Sequence, residues 1–159
     1  MDGTSGRWTA TKYGADMPGP LEGVTVVEAC QMVAGPWAAS LLADLGADVV
    51  KGERPAGGDR MRLQGPRVGG IGAMWANVNR GKRSVVLDLQ QEEGSAILGE
   101  LVARADVFVQ NFRPGVTARL GIDEATLRAR NPDLIYVSVS GFGDTGPYIS
   151  QKSYDYVVQ

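Results

Sequence analysis

The sequence predicts an α/β fold: a Rossmann-like, open and mainly parallel sheet with flanking helices. Three observations predict it. Largely apolar runs, most of them β-branched, recur at residues 24–29, 47–51, 84–89, 106–109 and 134–140. Stretches with apolar residues at helical spacing, 37–45 and 91–103, lie between them. Most runs give way to a turn marked by glycine, proline or arginine. Strands alternating with helices build βαβ units, and such units assemble parallel sheets. A chain of 159 residues is long enough for one domain burying about 70% of the surface its unfolded form exposes.

Residues 1–19 are polar and follow neither period, so they are expected to be a flexible tail ahead of a domain over 20–159. Pro20 to Gly23 make a turn into the first strand. At 31–36, Gly35 allows a tight backbone path and Pro36 suits the first helical turn. The helix at 37–45 is expected to bury Leu41, Leu42 and Leu45 on one face, and Gly46 stops it. A dinucleotide fold carries its glycine-rich loop at this link; with one glycine here, an NAD site has little support, and no Walker A sequence occurs. The stretch 55–72 is irregular, glycine-rich and basic. Arg54, Arg60, Arg62 and Arg67 either meet phosphates or belong to a solvated loop.

Residues 73–78 read as a short helix or strand, and a basic turn at 79–83 leads into the third strand. The helix at 91–103 sets Ile97, Leu98, Leu101 and Val102 at helical spacing, and Glu92 and Glu93 complement its amino-terminal dipole. The fourth strand runs into Asn111, Phe112 and Arg113, before Pro114 and Gly115 force a turn and 116–120 restart as a helical turn. In an open parallel sheet, ligands bind outside the carboxyl ends of the strands. An amide, an aromatic face and guanidinium groups there suit an anionic ligand with a planar ring, such as a nucleotide; the alternative is a solvated turn. Asp123 caps a helix to about residue 129, which Asn131 and Pro132 break. The loop at 141–148, with three glycines, follows the fifth strand where an active site is expected, and 154–158 look like the start of a helix cut at Gln159.

Composition removes several classes of function. Net charge is −2, from 16 basic and 18 acidic residues, so nothing draws the chain generally to nucleic acid or to a membrane. No apolar stretch approaches a membrane span, and the amino terminus lacks a signal-peptide core, so a cytoplasmic location is expected. Histidine is absent, which excludes histidine acid–base chemistry and histidine-ligated metals within the chain; no metal is expected. The single cysteine, Cys30, follows an apolar run and reads as a buried, inert thiol.

Several segments together carry a resemblance. They are Pro20-Leu21-Glu22-Gly23-Val24, Ala34-Gly35-Pro36, Leu42-Ala43-Asp44-Leu45-Gly46-Ala47-Asp48-Val49-Val50-Lys51 and Glu53-Arg54-Pro55. They continue with Asn79-Arg80-Gly81-Lys82-Arg83-Ser84, Leu87-Asp88-Leu89, Asn111-Phe112-Arg113-Pro114-Gly115, Arg119-Leu120-Gly121 and Ser140-Gly141-Phe142-Gly143. In this order, over residues 20–159, the chain resembles the family III CoA-transferases, or CaiB/BaiF family. The resemblance implies the amino-terminal, incomplete part of that family's large domain. It also implies transfer of CoA from an acyl-CoA donor to a carboxylic acid, through an acyl-aspartyl anhydride and an aspartyl-CoA thioester. Coenzyme A is then the substrate carrier, and the full-length protein a homodimer. The family's nucleophilic aspartate sits in a Gly-Asp segment expected beyond Gln159, so this chain alone is expected to be inactive.

By position in the family pattern, CoA contacts fall at Arg54, Asn111, Phe112, Arg119 and Lys152, with Leu87 and the backbone around Val33 and Ala34 lining the same groove. Asp155 matches a neighbouring acidic position, either supporting the active site or simply starting a helix. Gly52 stands where the family carries a β-branched residue, which implies a relaxed sequence or a bulge. The α-methylacyl-CoA racemases share the fold but place histidine where this chain has Tyr154. A tyrosine with pKa about 10 is a poor base at neutral pH, so the transferase reading leads. A non-catalytic fragment retaining part of a CoA site and a generic nucleotide-binding module are the remaining alternatives.

Overall fold

A computed structural model describes residues 19–153. The chain runs β1 (Thr25–Ala29), α1 (Ala34–Asp44), β2 (Asp48–Glu53), a 3-10 turn (Arg60–Leu63), β3 (Arg67–Val68), β4 (Ile71–Gly72) and α2 (Ala73–Val78). It continues with β5 (Lys82–Val86), α3 (Glu92–Val102), β6 (Val107–Gln110), α4 (Val116–Arg119), α5 (Glu124–Arg130) and β7 (Ile135–Ser138). The expected tail lies outside the described residues except for Gly19. That residue is packed: a Cβ there would stand 2.4 Å from the Leu45 carbonyl oxygen.

Five strands form one parallel sheet in the order β5-β2-β1-β6-β7. The α/β expectation therefore holds. On one face α1 covers a cluster of Val26, Cys30, Ala39, Ala47, Val49 and Val109. On the other, α3 and α5 cover Val27, Ala29, Phe108, Ile122 and Leu134, contributing Leu98, Val102 and Leu127. Both faces are buried, which is why the central strands read as continuous apolar runs instead of alternating ones.

The sequence reading needs adjusting at several points. Helix α1 does not bury Leu41 and Leu45, which are 49% and 44% exposed. It turns Gly35, Pro36, Ala39 and Ser40 inward instead, because small side chains let it lie close to the sheet. Gly35 is one such contact: a Cβ there would sit 2.4 Å from Cys30 Sγ. In α3, Ile97 likewise faces out, while Leu98 and Val102 are buried. Gly52 makes no bulge, since β2 keeps an unbroken register with β5 through Gly52 and Val85. The irregular stretch after β2 also has order of its own. The 3-10 turn is capped by Asp59, and β3 and β4 pair antiparallel.

Candidate functional site

Counting only the parallel strands, the sheet grows in both directions from β1, and its switch point lies between β1 and β6. A dinucleotide fold opens a crevice at this place. Here the crevice is bridged. Asn111 accepts a hydrogen bond from the Gln31 amide at 2.9 Å and donates one to the Gln31 carbonyl at 2.7 Å. This closure fits the lack of a multi-glycine loop at 31–36.

A cavity of about 450 Å3 opens beside the bridge, at the carboxyl ends of the strands. Its walls come from Cys30 and Gln31 after β1, Gly52 to Arg54 at the end of β2, and Asp59. Leu87 to Gln90 after β5 complete it, with Phe112, Arg119 and Leu120 after β6. Its size falls within the range of small-molecule sites, about 300–1,000 Å3. Of the residues expected at a ligand, Arg54, Leu87, Phe112 and Arg119 line this cavity together. Val33, Ala34, Asn111 and Lys152 do not line it, and Asp155 lies outside the described residues. Arg54 donates to the Gly58 carbonyl at 2.9 Å. Among the described residues, neither Arg54 nor Arg119 is in an ion pair. Guanidinium groups not paired with a carboxylate, beside Leu87, Phe112 and Leu120, suit a ligand with phosphates and a flat apolar ring.

Of the other arginines of the basic stretch, Arg60 is exposed and does not line the cavity, and two are engaged elsewhere. Arg62 pairs with Glu53 at 2.6 Å and stacks 3.6 Å over the Trp75 ring. Arg67 donates to the Leu63 carbonyl. Burial alone would raise the Glu53 carboxyl. Hydrogen bonds from Arg62, the Asp59 amide and Ser84 outweigh it and hold the group at about 2 instead of 4.5. A depressed folded-state pKa stabilises the fold above the unfolded value, and that gain is lost as pH falls from about 4.5 through about 2. The shift corresponds to about 2 kcal/mol once screening at the partly exposed Arg62 is allowed for. Glu53→Gln should therefore flatten the acid limb of a stability-against-pH curve; an unchanged limb would remove this group from the acid response.

Sequence reasoning missed a second layer beneath the cavity. Glu28 and Lys51 are register partners on β1 and β2. Lys51 Nζ lies 3.2 Å from Glu28 and 3.2 Å from Asp59, and all three side chains are buried. Lys82 Nζ reaches the same Glu28 oxygen at 2.7 Å. Burial lowers the Lys82 pKa, and Glu28 opposes that shift. A visible signal was available for two of them: Glu28 and Lys51 each interrupt an otherwise apolar strand, and buried charges are normally paired. Cys30 behaves as expected. It is buried, and burial pushes its thiol well above the ordinary value.

Comparison with known proteins then decides the family. The chain matches the model for CoA-transferase family III over residues 21–159. The chain belongs to CoA-transferase family III.

Within this family, the succinate–glutarate CoA-transferase of Agrobacterium fabrum is 47% identical over 91% of this chain and 38% of its own length. The human succinyl-CoA:glutarate CoA-transferase is 39% identical over 98% of this chain and 36% of its own. A solved CAIB/BAIF family protein from Brucella suis superposes with a TM-score of 0.84 at 45% identity, covering 89% of this chain and 38% of that one. The chain thus spans less than two fifths of the length of these family III relatives. No helix among the described residues is long and apolar enough to cross a membrane.

Proposed function

We propose that residues 20–159 form the amino-terminal part of a CoA-transferase and supply the wall that holds coenzyme A. The observation that carries this reading is the convergence of Arg54, Leu87, Phe112 and Arg119 on one cavity at the carboxyl edge of the sheet. The guanidinium groups of Arg54 and Arg119 take the phosphates, and Leu87 and Phe112 take the ring. The reaction moves CoA from an acyl-CoA to a carboxylic acid. An aspartate attacks the donor thioester to give a mixed anhydride and CoA thiolate. The thiolate attacks the aspartyl carbonyl to give a thioester, releasing the first acid; the acceptor carboxylate attacks that thioester to form a second anhydride and expel the thiolate, which then attacks the acceptor acyl carbon to give the new acyl-CoA and free the aspartate. The attacking aspartate belongs to sequence beyond residue 159. The full-length protein acts in the cytoplasm as a homodimer.

Arg119→Ala tests the site. It should weaken free CoA binding, measured by calorimetry, about tenfold, since a charge-assisted bond to phosphate is worth about 1.5–3 kcal/mol. Unchanged affinity would remove Arg119 from the site and take away the main support for the reading.

A further inference from the structure

We propose that Asp59 is a positioning residue, which fixes the Cys30–Met32 backbone at the edge of the cavity from the buried pair it forms with Lys51. The proposal rests on the CoA reading of that cavity. Met32 is one of two non-glycine residues at positive φ among the described residues, at +69°. A side chain disfavours this left-handed conformation, so something must hold it. The Asp59 carboxylate does so: Oδ1 accepts from the Met32 amide at 3.1 Å and from the Met61 amide at 3.0 Å. Asp59 is itself fixed, because its amide donates to Glu53 at 2.9 Å and its Oδ2 faces Lys51 Nζ at 3.2 Å. The same Lys51 donates to the Cys30 carbonyl at 2.9 Å. Gln31, between those two anchors, is held at both backbone groups by Asn111. Three side chains from three separate parts of the chain therefore set the path of three consecutive residues, two of which line the cavity.

The arrangement gives a test that a merely structural role would fail. Asp59→Ala should weaken free CoA binding by tenfold or more in the otherwise unaltered protein. In a Met32→Gly background the same substitution should cost threefold or less, because glycine adopts positive φ freely and no longer needs the carboxylate. Equal losses in both backgrounds, or no loss in either, would overturn the proposal. Should Asp59→Ala not fold, Asp59→Asn replaces it: one amide cannot both accept from Met32 and face the Lys51 ammonium, so a loss of about threefold, suppressed by Met32→Gly, is expected. If the unaltered protein does not bind CoA, the reading of the cavity fails instead, and hydrogen exchange judges the positioning role. Exchange of the Met32 amide should then quicken at least tenfold in the Asp59 variant while that of Leu98 in α3 does not change. No selective change at Met32 would overturn the assignment.

Discussion

Glu28→Gln should lower the unfolding free energy by about 3–5 kcal/mol, among the largest losses a single near-isosteric change in this chain can produce. The glutamate is fully buried, and one of its oxygens receives both Lys51 and Lys82. Glutamine keeps the volume and one acceptor, so what disappears is the charge. Lys51 retains Asp59. Lys82 is left with neutral acceptors only, the Pro36 and Val78 carbonyls and the Asn79 side chain. Two ammonium groups would then share a buried site with one carboxylate. Urea unfolding of the two proteins at pH 7 measures the effect. A loss under about 1 kcal/mol would mean that the cluster is solvated and the pairing weak.

The second large effect is expected at Gly94. In the first turns of a helix, alanine for glycine normally gains up to about 1 kcal/mol. Here the sign should reverse, with a net loss of about 3 kcal/mol. A Cβ on Gly94 would stand 2.1 Å from the Asp88 carbonyl oxygen and 2.6 Å from its carbon. Both are backbone atoms, so no rotamer change relieves the clash. Either α3 lifts from the sheet or the 87–90 segment moves, and that segment is a wall of the cavity. Gly94→Ala should therefore lower both the thermal midpoint and CoA affinity. Gly52→Ala is the control: its Cβ would meet only ordinary contacts, at 3.5 and 3.8 Å. Equal stability of the Gly94 and Gly52 variants would show that the 87–90 segment yields freely.

The sheet was legible because its strands are buried on both faces and so appear as apolar runs separated by punctuation. Asp123 was legible as a cap because its signal is local, and its carboxylate does accept from the Thr126 amide. The orientation of α1 was not. Leucines at 41 and 45 follow the helical period, yet close approach to the sheet favoured the side holding glycine, alanine and serine, and period alone does not rank two faces by fit. The start of β5 at Lys82 was hidden for a related reason. A basic tripeptide reads as a turn unless one knows that the lysine has a buried carboxylate across the sheet. Arg54 and Arg119 came from the family pattern and do line one cavity. Arg62, equally basic and in the same stretch, is held by Glu53 and Trp75. The residue type is the same, and only the position of a distant acid and an indole separates the two cases.

The buried Lys51–Glu28–Lys82 array has a bearing on heat. Water gives up charged groups less reluctantly as temperature rises, so the penalty for keeping ions dry shrinks while attraction between them persists. Oily contacts gain little more over the same interval. On warming, the centre of the sheet around this array should thus be among the last parts to soften, with the outer helices loosening ahead of it.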